Sequence, residues 1–192
     1  MHELVIRNGL VVDGTGSKAR KADIAIDSGV ITKVGTIEAG GVKEIDASGK
    51  LVTPGFVDIH THYDGQVIWD PEVTPSSWHG VTTIVMGNCG VGFAPVKPDK
   101  HEFLISVMEG VEDIPGAALA EGVSFDWETF PQYLDAVEAI PHTIDIGAQM
   151  PHSALRVYVM GDRGRDHDED ATESEIQEMR RLTEEALDAG AL

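Results

Sequence analysis

The sequence is short of cations, of cysteine and of long apolar runs. Lysine and arginine total 14 against 33 aspartates and glutamates, a formal net charge of −19. Nucleic acids and anionic membrane surfaces select a cationic face, so no nucleic acid and no membrane partner is expected. No uninterrupted apolar stretch approaches the roughly 18 residues of a membrane span. The opening MHELVIRNGLVVDGTG lacks the basic, apolar, small-residue order of a signal peptide. A soluble, cytoplasmic protein is the resulting expectation. Cys89 is the sole cysteine, which excludes an internal disulfide framework. Repeats and low-complexity tracts are missing as well.

What is present is enough apolar sequence for a sizeable core, at 42% hydrophobic and 24% charged residues. The first fifty residues carry brief β-rich runs, LVIRNGLVVDG, ADIAID, VITKVG and KEIDASGKLVTPG, separated by Gly, Asp and Ser. They predict hairpins of an antiparallel sheet, with a domain over residues 1–53 that is too short to close a sandwich alone. The Pro54-Gly55 break then opens a second domain, residues 54–192. There GFVDIH, VTTIVMG and TIDIGAQM read as three strands. Residues 98–140 read as a helical insertion, with Ser124 or Asp126 as cap and Phe130, Tyr133, Leu134 and Val137 at helical spacing. DRGRDHDEDATE is a charged loop. TESEIQEMRRLTEEALDAG predicts an amphipathic helix with Thr172 as N-cap, Glu175 completing a capping box and Gly190 as stop. Strand and connection alternate in the rhythm of a parallel α/β sheet. A full (β/α)8 barrel takes about 250 residues, so these residues are too few to close one.

Alternate side chains of a strand share a face, so His60 and His62 in PGFVDIHTHYDG point the same way beyond the first strand. Paired neutral imidazoles on a rigid strand can hold a divalent metal. Two solvated loop histidines are the plainer alternative. Cys89, in GNCG, lies at the same end of the second strand. A thiolate is a strong zinc ligand, and a small buried thiol is the plainer alternative. Trp69, Trp78 and Trp127 read as packing residues, and His79 as an exposed link.

TPGFVDIHTHYD resembles the amidohydrolase superfamily signature. WHGVTTIVMGNCGVGFAP, QMPHSALR and EMRRLTEEALDAGAL narrow the resemblance to the D-aminoacylase, or N-acyl-D-amino-acid deacylase, branch. That resemblance implies the N-terminal part of a metal-dependent (β/α)8 barrel plus strands of a small composite β-sandwich. It implies His60, His62 and Cys89 as metal ligands, with one or two zinc ions as cofactor. It implies Asp64 and His152 as substrate-binding candidates beside the metal pocket. It also implies further histidines and a general acid/base aspartate beyond these residues, supplied by the remainder of the same enzyme as companion polypeptide. The implied activity is hydrolysis of the amide bond of N-acyl-D-amino acids or similar linear amides. A hydantoinase- or dihydroorotase-like cyclic-amide hydrolase and a non-catalytic metal-binding remnant stand as alternatives, and a homo-oligomer is left open.

Overall fold

A computed structural model describes residues 1–112, 114–166 and 168–192. Asp113, within the predicted helical insertion, and His167, within the predicted charged loop, lie outside the described residues. The chain forms two compact units, Met1–Gly55 and Phe56–Leu192.

In the first unit, β1 (His2–Val11), β2 (Arg20–Asp27) and β3 (Val30–Gly35) pair as successive antiparallel hairpins. Alternation buries Val5 and Ala25, with Ile37 against them, and turns charged neighbours outward. β1 runs on through Gly9. A register shift between Ile6 and Gly9 and a left-handed Asn8 (φ 61°) absorb the irregularity as a bulge. A Cβ on Gly9 would lie 2.5 Å from Val52 Cγ2, so the glycine lets the next strands approach.

The all-antiparallel expectation is corrected by β4 (Gly41–Asp46) and β5 (Leu51–Val52), which both run parallel to β1. The spatial order is β3-β2-β1-β4, with β5 also on β1. The connection after β3 carries the chain back to the free edge of β1 instead of adding a further hairpin. Arg7 holds that connection by donating to the Ile37 and Ala39 carbonyls and pairing with Asp23 and Glu44.

In the second unit, β6 (Phe56–Asp58), β7 (Val81–Met86) and β8 (Asp145–Ala148) form a parallel sheet in sequence order. Parallel pairing is what the strand–connection rhythm requires. The β6–β7 connection contains two 3-10 turns, Gln66–Ile68 and Ser76–His79. The β7–β8 connection carries α1 (His101–Glu112), α2 (Gly116–Gly122) and α3 (Phe130–Glu138). After β8 come α4 (His152–Met160), a 3-10 turn over Gly161–Arg165 and α5 (Glu173–Asp188). Ile84 and Met86 from β7 meet Phe93, Leu104, Leu119 and Tyr133 in one core. Each such side chain, fully buried, contributes about 1.5–3 kcal/mol of transfer free energy.

Two local readings change, the cap of α3 and the packing of Trp78. The cap of α3 is Thr129, in a complete capping box with Gln132, and neither Ser124 nor Asp126. α4 has no capping side chain and starts on Pro151, so its sequence lacked the usual start signal. Trp127 is buried and donates to the Phe93 carbonyl at 2.8 Å, and Trp69 packs on Gly122, whereas Trp78 is 73% exposed. At α5, Thr172 and Glu175 close the capping box and Gly190 is left-handed (φ 110°).

Candidate metal centre

β6 ends at Asp58, and the chain stays extended enough for His60 and His62 to fall on one side while Ile59 faces away and Thr61 is buried between them. The Thr61 amide donates to the Val85 carbonyl at 3.0 Å, which carries the β6–β7 pairing past the strand end. β7 ends at Met86. Gly87 and Gly90 then adopt left-handed conformations (φ 86° and 77°), and Cys89 between them does so too (φ 56°, ψ 16°). A non-glycine residue in that region costs on the order of 1–3 kcal/mol, and it persists where surrounding structure fixes it. A Cβ on Gly87 would run into the Gln149 carbonyl oxygen, and one on Gly90 would sit 3.0 Å from Ser153 Oγ. The turn that carries Cys89 is therefore seated against the β8–α4 connection.

These elements bring three donors together. His60 Nε2 lies 3.3 Å from Cys89 Sγ, and the two imidazole centroids are 5.6 Å apart at 55°. One ligand atom from each of His60, His62 and Cys89 lies within 4.8 Å of the others. His60 and Cys89 are exposed, so the cluster opens to the surface of its unit and the thiol is not a packed core group. Burial, with the neighbouring His60, holds His62 below the ordinary imidazole range. A neutral ring keeps its lone pair for a ligand. His62 Nδ1 is buried with no hydrogen-bond partner among the described residues, an arrangement that costs free energy unless something else is bound there. Two imidazoles and a thiol form a borderline-soft N/S set, which suits zinc in particular. The residues thus fit a bound metal ion.

Asp64 is 2% exposed, and its backbone carbonyl accepts from the Tyr133 hydroxyl at 2.7 Å. Its Oδ1 packs 3.3 Å from the position a Cβ on Gly92 would take, beside Pro151. His152 is exposed at the first turn of α4 and lies beside Gly90, outside the three-residue cluster. Sequence reasoning passed over Thr61 and Asn88, which flank the ligand candidates and tie their loops together. The available signal was a polar residue inside the His-x-His motif and another directly before the cysteine.

A model of the amidohydrolase family matches residues 43–192. The chain belongs to the amidohydrolase family. It is 36% identical over 191 residues to the D-aminoacylase of Alcaligenes xylosoxydans xylosoxydans, covering 99% of this chain and 36% of that protein. A crystal structure of D-aminoacylase superposes with a TM-score of 0.81 at 34% identity, over 100% of this chain and 37% of that one. An N-acyl-D-glutamate deacylase from Bordetella bronchiseptica, complexed with zinc and a phosphonate inhibitor, superposes with the same score of 0.81 at 32% identity, over 99% and 37%. This amidohydrolase-family chain spans about a third of the length of these relatives, as the coverage of 36–37% shows. It has their α/β fold and matches their N-terminal part. Among its described helices none is long and apolar enough to cross a membrane.

Proposed function

We propose that this chain is part of a zinc-dependent hydrolase that cleaves the amide bond of N-acyl-D-amino acids or similar linear amides. The observation that carries the reading is the convergence of His60, His62 and Cys89 within 4.8 Å, at the C-terminal ends of adjacent parallel strands. That is the end of a (β/α)8 barrel where active sites are built. The likeness to a D-aminoacylase and an N-acyl-D-glutamate deacylase, and the zinc in the latter, support the substrate class and the ion.

In this reading His60, His62 and Cys89 hold the metal. When bound, zinc supplies Lewis acidity toward the scissile carbonyl. His60 is held by its amide, which donates to Asp58 Oδ1 at 3.2 Å. His62, kept neutral by burial, offers a lone pair without first having to lose a proton. Asp64, on the loop after β6, and His152, at the first turn of α4, are the candidate substrate contacts in this reading. The proton-shuttling aspartate and the remaining ligands come from further polypeptide of the same enzyme, and residues 1–53 contribute strands to a composite β-sandwich.

The test is metal analysis and hydrolysis of N-acetyl-D- and N-acetyl-L-amino acids by the full-length enzyme. Zinc should co-purify, the D-series should turn over, and Cys89→Ala should lower metal affinity by at least about tenfold. Unchanged metal content in Cys89→Ala removes the thiolate from the ligand set. Turnover of cyclic amides in place of linear ones overturns the substrate class.

A further inference from the structure

Beside the three ligand candidates sit two polar side chains with no place in the ligand set. Thr61 separates His60 from His62 and is 6% exposed. Asn88 directly precedes Cys89. Both reach the carbonyl of Val85, the penultimate residue of β7. That one oxygen accepts from the Thr61 amide at 3.0 Å, from Thr61 Oγ1 at 2.8 Å and from Asn88 Nδ2 at 2.9 Å. Asn88 Nδ2 also lies 3.4 Å from the Thr61 carbonyl oxygen. Both neighbours of that nitrogen are acceptors, so the amide must present its NH2 group there.

Continuing the strand pairing requires only the backbone bond from Thr61. The hydroxyl and the amide are additional, and together they join the His-x-His segment to the cysteine turn through one atom. The join matters because of what it separates. A tetrahedral ion with nitrogen at about 2.0–2.1 Å and sulfur at about 2.3 Å needs these donors roughly 3.5 Å apart. His60 Nε2 and Cys89 Sγ already stand at 3.3 Å. Cys89 holds a left-handed backbone that relaxes unless neighbours fix it.

We propose that Thr61 and Asn88 are positioning residues, a polar clasp on the Val85 carbonyl that sets the spacing between the paired imidazoles and the thiolate. The inference rests on the metal-centre reading above. Neither residue is one of the three ligand candidates. Their effect passes through the backbone of the residues they flank.

Cobalt(II) substitution of the full-length protein tests this, because a thiolate on cobalt gives a charge-transfer absorption that reports the Cys89 bond directly. Thr61→Val is isosteric and keeps the Thr61 amide bond, so the fold should survive it, as circular dichroism can verify. Thr61→Val and Asn88→Ala should each weaken cobalt binding about 10–100-fold, the range for groups that orient metal ligands. Each should also shift or weaken the charge-transfer band. The double variant should lose less than the product of the two, since both donors share an acceptor. Thr61→Ser, which restores the hydroxyl, should return both readings to those of the parent. Parent-like affinity and band in Thr61→Val and Asn88→Ala would overturn the clasp while leaving the metal centre standing. So would a lowered Tm with an unaltered band, since that marks a merely structural role. Absence of the band from the parent protein would overturn the metal-centre reading, and the clasp's role with it.

Discussion

Cys89 shows how a single residue's backbone state constrains the chemistry around it. Its thiol reaches His60 because Gly87, Cys89 and Gly90 all turn left-handed within four residues. Gly87 is the least replaceable of them. Its φ of 86° disfavours any side chain, and a Cβ would collide with the Gln149 carbonyl in the loop after β8. Gly87→Ala should destabilise the protein by at least about 1–3 kcal/mol and displace Cys89 from His60. Urea denaturation of the full-length variant, read beside its zinc content, checks both. An unchanged midpoint with full zinc would mean that the turn relaxes without moving the thiol.

Among the elements, α5 illustrates a helix whose start is written locally. Thr172 accepts from the Glu175 amide while the Glu175 carboxylate accepts from the Thr172 amide at 2.7 Å, so two orphan donors are satisfied reciprocally. Leu182 and Ala186, four apart, are buried on one face, and Arg180 and Arg181 pair with glutamates on the exposed side. The exposed pairs add little, so the cap is the sensitive point. Thr172→Ala should cost about 1 kcal/mol, and Thr172→Ser should cost much less. Chemical denaturation of the three proteins side by side measures this, and equal stabilities would show that tertiary packing alone sets the helix start. α4 is the opposite case. Nothing in Pro151-His152-Ser153 caps it, and its form depends on burying Ala154, Leu155 and Val157.

For the molecule as a whole, the parallel sheet of the second unit has open borders. β6 and β8 are its outer strands. Phe56, Val57 and Ile59 are 61%, 59% and 71% exposed, far more than a buried parallel strand tolerates. At the other border the Leu192 amide already donates to the Ala148 carbonyl at 2.9 Å, and a Cβ on Gly147 would meet the Leu192 side chain. Unpaired, apolar strand borders recruit other chains. The 192-residue polypeptide, produced alone, should therefore self-associate as its concentration rises. Co-production with the remaining polypeptide proposed for the enzyme should yield a discrete species with higher zinc content. Analytical ultracentrifugation distinguishes the two, and a monodisperse, folded monomer at high concentration would refute the expectation.

Local chemistry in the sequence was sufficient for several features. The capping box of α5, the existence of the strands β6, β7 and β8, and the shared face of His60 and His62 each depend on residues a few positions apart, where backbone geometry admits few alternatives. The family motifs HTH and GNCG were legible for the same reason. Other features depended on residues far apart in the chain. β4 and β5 run parallel to β1 because the free edge of that strand was available, which no hairpin signal encodes. α4 is a helix because its apolar face found a core, although its first residues carry no start signal. The approach of Cys89 to His60 was decided by glycines that leave room for the next loop. The meeting of Thr61 with Asn88 was decided by one shared carbonyl. Residue identity and strand alternation settle which donors are present and which way each strand turns them. Packing between distant segments decided the distances between them, because His60 meets Cys89 29 residues further on, and the cysteine turn is seated at Gly90 against Ser153 of α4.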